Sequence, residues 1–451
     1  MAVEAGGGSA IASALGATAD VAIPTAAEPA DHEPWRQYLA WQRWGMLTVI
    51  LLVTVSNYLD TFVITVLLEP IKQEFHVSDT SLGLLSGLCF SLFYAAAAIP
   101  FARWADYGNR RTVLVVALAG WSAMTALCGV ARSFATLAAA RFGVGAAASG
   151  GLPPAQSLIA DYFPPEQRGT PIGLLNAALN VGLFLGVGLG GLIASADGWR
   201  SAMIWLGAPG LLLALIARLT LAEPRTVGGV TASVHAAESL VQSATLLRRK
   251  PSFVFALISI SVYCIFAYGA STFMPSFMVR TLHASLREAS TVWGAVILVA
   301  NVLGSLIGGW LGDRLSRRDK RWYGWIPAIT CLLGAGLYWA AFSAMSFWQF
   351  IGIEFFAETV LGIGFPPVYS GVHAVCGSRR RGLAIGLLFL AMMLCGNSIG
   401  PLVVGVFSDL LTGTHGDASL RYSLIALTFI MLPAAVGFWA SGRTLLNDEE
   451  D

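Results

Sequence analysis

Long apolar runs alternate with short polar connections along almost the whole chain. A bilayer core of about 30 Å needs roughly 20 apolar residues per helix. Twelve runs reach that length, and several of the connections predicted to lie outside are very short, which favours antiparallel neighbouring helices. The runs lie near 45–69, 81–101, 112–131, 134–160, 171–194, 202–222, 251–279, 289–311, 323–343, 346–374, 383–409 and 421–441. The pattern predicts an all-α membrane protein with twelve transmembrane helices.

The polar segments between and around these runs predict how the chain is divided. Residues 1–34 are rich in Ala and Gly and lack a basic stretch before an apolar run, so we expect a disordered cytosolic tail and not a signal peptide. The longest polar interruption, 223–250, predicts a cytosolic linker. The expected bundles therefore span 35–222 and 251–443, followed by a short cytosolic tail at 444–451.

Composition supports a protein that lies in lipid. Of 451 residues, 56% are hydrophobic and 12% are charged, whereas a globular domain has about 25% charged residues. The formal net charge is +1, so we expect no nucleic-acid partner. The six cysteines are scattered in or beside apolar runs and form no Cys-x-x-Cys pair, which favours packing roles and predicts no metal site.

The basic residues predict the direction of insertion. With the N-terminus inside, inner segments hold twenty Lys and Arg residues and outer segments hold six. The remaining one, Arg141, lies within the fourth run. Because positively charged loops stay on the cytoplasmic side, both termini are predicted to be cytoplasmic. We expect a multi-pass integral protein of the plasma membrane, which in a bacterium is the inner membrane.

An internal repeat links the two halves. Arg168-Gly169 begins a stretch that recurs at Arg381-Gly382, and the Pro153-Pro154 pair recurs at Pro366-Pro367, at the same spacing of 213 residues. Matches in the same order indicate a duplicated six-helix unit. Two such bundles can rock about a site at their interface and expose it to each side in turn.

A known signature stands after the second run and is repeated after the eighth. Ala102-Arg-Trp-Ala-Asp106-Tyr-Gly-Asn-Arg110-Arg111 and Gly309-Trp-Leu-Gly-Asp313-Arg314-Leu-Ser-Arg317-Arg318 both resemble the major facilitator signature Gly-x-x-x-Asp-Arg-x-Gly-Arg-Arg/Lys. The first copy departs from it at Ala102, Tyr107 and Asn109. The resemblance implies the major facilitator fold of two pseudo-symmetric six-helix bundles. It also implies a cytosolic gate, formed by Asp106, Arg110, Arg111, Asp313, Arg314 and Arg317.

Within that superfamily the chain is similar to the spinster-like group. The similar stretches are Asn57-Tyr58-Leu59-Asp60, Phe75-His76-Val77-Ser78-Asp79-Thr80, and Asp161-Tyr162-Phe163-Pro164-Pro165 followed by Gln167-Arg168-Gly169. Two positions depart from the group: Thr61 stands where an Arg is usual, and Ala148 where a Glu is usual. If those side chains couple protons to transport, coupling here is rearranged or absent. The group is associated with lysophospholipids and sphingosine phosphates, and the two departures weaken that substrate expectation.

Four ionisable residues stand out inside predicted spans, toward the outer half or middle of their helices: Asp60, Arg141, Glu354 and Glu358. Each costs about 2.5–3.5 kcal/mol on insertion scales, which favours a functional role. The resemblance implies that their helices surround a central cavity, so we expect all four to face it. Asp60 and Arg141 form either an ion pair that protonation breaks or a permanent structural pair. Glu354 and Glu358, one turn apart, hold a proton between them, attract a cationic solute, or face Arg141.

Aromatic and amide side chains on the same helices suit an amphiphilic or aromatic organic solute. We expect this solute at Asn57, Tyr58, Gln156, Tyr263, Tyr268, Phe365, Tyr369 and Asn397.

The predicted function is secondary active transport of a small organic or lipid-like solute by alternating access, coupled to protons. The alternative is an uncoupled facilitator of the same fold, and a membrane sensor or enzyme is a more distant one. The sequence contains no phosphate-binding loop, Gly-x-Ser-x-Gly motif or metal-binding His motif, so no cofactor and no enzymatic activity are predicted. We expect a monomer whose partners are the solute, the proton and the lipid bilayer.

Overall fold

A computed structural model describes residues 34–224 and 245–448, apart from the side chains of 378 and 379. Most of the predicted N-terminal tail, most of the linker and the last three residues lie outside these ranges. The described residues are mainly helical and contain no β-strand. The predicted all-α class is confirmed.

The first half consists of six helical elements. These are α1 (Ala40–Phe75), α2 (Asp79–Tyr107), α3 (Arg110–Gly129), α4 (Phe134–Ala148), α5 (Leu152–Tyr162) and α6 (Gly169–Thr220). The second half consists of eight. These are α7 (Pro251–Thr281), α8 (Leu286–Ser316), α9 (Trp322–Phe342), α10 (Phe347–Val375), α11 (Gly377–Ala391), α12 (Gly400–His415), α13 (Ser419–Thr428) and α14 (Met431–Asp448).

Nine helical stretches of the described chain are long and apolar enough to cross a membrane. The longest two contain 52 and 69 residues, and 52 residues of helix would extend about 78 Å, more than twice a bilayer core. Within α6 the path changes at Gly198, whose φ of 84° favours glycine because it has no Cβ atom. Gly198 lies between the fifth and sixth predicted runs. The count of twelve spans stays a prediction.

Glycines bring helices into backbone contact in both halves. A Cβ atom on Gly182 or Gly186 of α6 would lie 2.6 Å from the carbonyl oxygen of Val55 or Leu59 in α1. On the other half, a Cβ atom on Gly400 would lie 2.5 Å from the Ile265 carbonyl oxygen in α7. Such distances exclude a side chain. Gly182 and Gly186 therefore hold α6 against the part of α1 that carries Asp60.

The halves meet at two π-helical segments, one from each half. One turn, Leu84–Leu88, lies in α2, and the other, Met392–Ile399, joins α11 to α12. The Asn397 Nδ2 donates to Ser91 Oγ at 2.7 Å across this junction. Such turns are rare and are frequent at functional sites.

Candidate functional site

Asp60 lies in the interior of the first half and is 0% exposed. Neither of its carboxylate oxygens has a hydrogen-bond donor within the described part of the chain. A buried anion without a donor is costly because it has lost its hydration. The tight contact between Leu59 and Gly186 closes one side of this position. Asp60 is therefore a buried acid whose carboxylate is available to a proton or to another partner.

Arg141 of α4 reaches α1 but does not bind the Asp60 carboxylate. Its Nη1 donates to the Asp60 carbonyl oxygen at 3.2 Å, and its Nη2 donates to the Thr61 carbonyl oxygen at 3.3 Å. The guanidinium also lies over the Phe90 ring, 5.4 Å from its centroid. The expected ion pair is therefore not formed in this conformation, because the guanidinium is held by backbone carbonyl oxygens.

The second half holds a carboxylate pair of its own. Glu354 is 0% exposed; its Oε1 accepts a hydrogen bond from the Tyr338 hydroxyl at 3.4 Å, and its Oε2 has no partner in the described ranges. Glu358 follows one helical turn later and is half-buried. The two acids therefore share an aromatic environment in the second bundle.

Three of the four charges are covered in this conformation, and their position at a central cavity stays a prediction. Asp60, Arg141 and Glu354 are at most 1% exposed, and only Glu358 retains partial exposure. Neighbouring helices cover these side chains. The internal repeat is also visible in the burial of these charges. Arg141 and Glu354 are related by the 213-residue spacing, and both are buried.

The predicted cavity residues differ in their surroundings. Tyr58, Tyr268, Phe365, Tyr369 and Asn397 are half-buried, as is Asn57, whose Nδ2 donates to the Ala148 carbonyl oxygen at 3.4 Å. Tyr263 is 6% exposed, and its ring meets that of Phe365 edge to face with centroids 5.4 Å apart. Gln156 is exposed. Half-buried aromatic faces on α1, α7 and α10 are the surfaces that a solute between the halves would contact.

The first copy of the signature assembles a buried ion network. Arg110 is 1% exposed, and its Nη2 lies 2.6 Å from Asp161 Oδ2 and 2.7 Å from Glu223 Oε1. The Arg111 backbone N–H donates to Glu223 Oε2 at 3.3 Å. This network ties the start of α3 to the ends of α5 and α6. Sequence reasoning missed Asp161 and Glu223 as members, although each lies next to the predicted cytosolic end of an apolar run.

The second copy lies at the surface. Asp313, Arg314 and Arg317 are exposed, and the Arg314 guanidinium lies over the Trp310 ring at 5.5 Å. Asp106 of the first copy is exposed as well. The gate role of these residues stays a prediction.

Comparisons with known proteins agree with this architecture. The family model of the Major Facilitator Superfamily matches residues 50–394 and 271–448. An MFS-type efflux pump of Mycolicibacterium smegmatis is 32% identical over 437 residues, covering 95% of this chain and 99% of the pump. The sphingosine-1-phosphate transporter of Danio rerio is 25% identical over 431 residues, covering 88% of this chain and 83% of the transporter.

A solved structure supports the same assignment. The bacterial homologue of the human lysosomal transporter spinster, in an inward-facing and unoccupied conformation, has 28% sequence identity and a TM-score of 0.84, covering 92% of this chain and all of that chain. The inward-facing and occupied form of that homologue gives a TM-score of 0.81 at 27% identity, covering 93% of this chain and 99% of that chain. Sequence, fold and relatives together show that the chain belongs to the Major Facilitator Superfamily, among its spinster-like transporters.

Proposed function

We propose that this protein is a proton-coupled secondary transporter that moves a small organic or lipid-like solute by alternating access. The observation that carries the proposal is the Asp60 carboxylate, which is fully buried and has no donor within the described residues, beside an arginine that binds carbonyl oxygens. A carboxylate in this position can take up a proton and lose its charge. It can also be stabilised as an anion if Arg141 moves to it.

Coupling follows from these two states. When Asp60 is protonated, Arg141 keeps its hydrogen bonds to the carbonyl oxygens of Asp60 and Thr61. When Asp60 releases the proton, attraction between opposite charges draws the guanidinium toward the carboxylate. Because Arg141 lies on α4 and Asp60 on α1, that shift changes the contact between two helices of one bundle. Proton release and helix movement are thereby linked.

The pair in the second half supports a second proton site. Glu354 and Glu358 lie one turn apart in an apolar and aromatic environment, and two ionised carboxylates there would repel each other. A proton shared by the pair removes that repulsion. A cationic solute near the half-buried Glu358 would have the same effect, so both roles remain part of the proposal.

The substrate class rests on the half-buried aromatic residues and on the relatives. Rings on α1, α7 and α10 offer flat apolar surfaces, and the amides of Asn57 and Asn397 add hydrogen-bonding groups. The similar proteins are an efflux pump and a sphingosine-1-phosphate transporter. We propose an amphiphilic or aromatic organic solute, carried by a monomer in the bacterial inner membrane with both termini in the cytoplasm.

An uncoupled facilitator is the second candidate, and Thr61 favours it. The Thr61 hydroxyl donates to the Asn57 carbonyl oxygen at 2.8 Å, within its own helix, so this position adds no charge next to Asp60. If the spinster-like coupling mechanism requires a charge there, transport in this protein would proceed down the solute gradient alone.

Purified protein in liposomes with an internal pH dye separates the two candidates. Lysolipids, aromatic acids and cationic drugs are added one at a time. A substrate-dependent pH change in the wild type that is lost in Asp60→Asn supports proton coupling. Flux of labelled solute without any pH change supports a facilitator or coupling to another ion, and assigns Asp60 a structural role.

A further inference from the structure

A group of charged and hydroxyl side chains joins the two halves at their outer ends. Glu69, Lys72, Asp79 and Thr80 come from α1, α2 and their connection, whereas Arg280, Ser408 and Asp409 come from α7 and α12. We call these seven residues the outer cluster. The distribution of Lys and Arg residues predicts that this end lies on the non-cytoplasmic side of the membrane, opposite to the predicted cytosolic gate.

Arg280 is the centre of the cluster. Its Nη1 donates to Asp79 Oδ2 at 2.8 Å and its Nη2 donates to Asp79 Oδ1 at 2.9 Å, while its Nε donates to Glu69. Asp79 also accepts from Lys72 Nζ at 2.8 Å and from Ser408 Oγ at 2.7 Å. A forked guanidinium–carboxylate contact is among the stronger polar interactions in proteins. Arg280 therefore binds the second half to two acids of the first.

Asp409 makes the complementary contact in the opposite direction. Its Oδ1 accepts from the Asp79 backbone N–H at 3.0 Å, and its Oδ2 accepts from the Thr80 backbone N–H at 2.8 Å and from the Thr80 hydroxyl at 2.5 Å. These N–H groups belong to the first turn of α2, where no intrahelical acceptor exists. A side chain of one half thus satisfies the backbone of the other.

Close backbone packing surrounds these contacts. A Cβ atom on Gly83 of α2 would lie 2.4 Å from the Pro401 carbonyl oxygen, and one on Gly405 of α12 would lie 2.3 Å from the Asp79 carbonyl oxygen. Neither glycine can carry a side chain without moving a helix. The outer ends of α2 and α12 are therefore in direct contact, and separating them breaks all the bonds of Asp409 to α2.

We propose that Asp409 is a positioning residue for the transport cycle, which holds the outer ends of α2 and α12 together in the outward-closed state. The inference rests on the alternating access proposed above, since outward opening must separate these two helices. Asp409 acts through geometry. While the outer side is closed, its carboxylate oxygens accept hydrogen bonds from the N–H groups in the first turn of α2. In the outward-open state water takes its place.

The distance between the outer ends tests this role. Spin labels are placed at Arg132→Cys and Met345→Cys, two exposed positions on the outer connections of opposite halves, with half-buried Cys89 and Cys395 replaced by serine. Double electron–electron resonance in detergent then reports the populations of the outward-closed and outward-open states. The measurement needs neither substrate nor a proton gradient, so its failure is distinguishable from a failure of the proposed transport function.

Asp409→Asn is the test variant, because it keeps the side-chain size and replaces one acceptor oxygen by a donor. We expect the ratio of long to short distances to rise about ten-fold, as expected for the loss of charged hydrogen bonds. Thr80→Ala should shift the ratio in the same direction by less. The double variant should shift it by less than the two single effects combined, because both variants remove the same hydrogen bond.

The matched control is Asp417→Asn, which makes the same charge change at an exposed outer position. It should leave the distances unchanged. An unchanged distribution in Asp409→Asn overturns the proposal, as does an equal shift in the control. Size-exclusion elution and thermal unfolding establish that each variant is folded.

Discussion

At the scale of single residues, the proposed mechanism rests on the buried charges. Arg141 is held by backbone carbonyl oxygens of α1, while the Asp60 carboxylate is left without a donor in the described structure. Burial of a charge inside a membrane protein is tolerated when the charge is compensated or removed. In the proposed mechanism the two residues alternate between two arrangements, one with a protonated acid and one with an ion pair.

Asp60→Asn is expected to fold and to lose concentrative transport. Asparagine keeps the shape of the protonated acid but cannot release a proton. Accumulation against a gradient should fall by at least ten-fold in liposomes with an imposed pH gradient, while downhill exchange of the solute persists. Pumping at full strength in this variant would exclude Asp60 as the proton carrier.

Glu354→Gln and Glu358→Gln should differ in their effects. Glu354 is fully buried and bonded to the Tyr338 hydroxyl, whereas Glu358 is half-buried. We expect Glu354→Gln to reduce proton uptake per solute and Glu358→Gln to weaken binding of cationic solutes several-fold. Proton flux with the pH dye and equilibrium binding of a labelled cation measure the two effects. Equal changes of both quantities in the two variants would contradict separate roles.

At the scale of elements, glycine contacts determine where α1 and α6 lie relative to each other. Gly186 meets the Leu59 carbonyl oxygen next to Asp60, so the helix contact and the buried acid are one structural unit. The four-residue spacing of Gly182 and Gly186 places both on one face of α6. It did not show that α1 is the partner helix, because a glycine stripe specifies a surface and not its neighbour.

Gly186→Ala is expected to lower the thermal stability, because the added Cβ atom would overlap the backbone of α1. Overpacking of this kind costs about 1–3 kcal/mol or more. Gly188→Ala in the same helix is the matched control, since the nearest atom to an added Cβ there is 3.9 Å away. Thermal unfolding in detergent compares the two. Similar unfolding midpoints for both variants would show that the contact between Gly186 and Leu59 is not tight.

The Arg110 network makes a stability prediction for the cytosolic ends of the first half. Arg110→Gln leaves Asp161 and Glu223 without their shared partner, and breaking a buried ion pair costs about 3–5 kcal/mol. The variant should unfold at a clearly lower temperature than Arg103→Gln, a control at an exposed position of the same signature stretch. If the Arg110→Gln midpoint falls no further than that of Arg103→Gln, the network does not stabilise the bundle.

At the scale of the whole molecule, the outer ends of the halves are joined by Arg280 and Asp409. Transport by rocking bundles requires such contacts to form on one side and break during turnover. The inward-facing solved relative has the same overall fold. In the proposed cycle, the outward-closed arrangement is one of the two end states.

The predicted cytosolic gate is tested by Asp313→Asn. The residue is exposed here, on the side opposite to the outer cluster, and by resemblance it belongs to contacts that form when the inner side closes. The variant should slow turnover several-fold with little change in solute affinity. Measured kcat and Kd in liposomes and detergent give the two quantities. Equal losses in both would count against a gate.

The sequence by itself determined the all-α membrane class and the family, because apolar runs and signature motifs are local along the chain. The repeat spacing also indicated which positions correspond in the two halves. Tertiary structure decided which side chains meet: Asp409 binds the start of α2 from 330 residues away, and Arg141 binds carbonyl oxygens that any residue would present. Such partners depend on how the helices pack in three dimensions. The spacing of residues along the chain does not show which helices become neighbours.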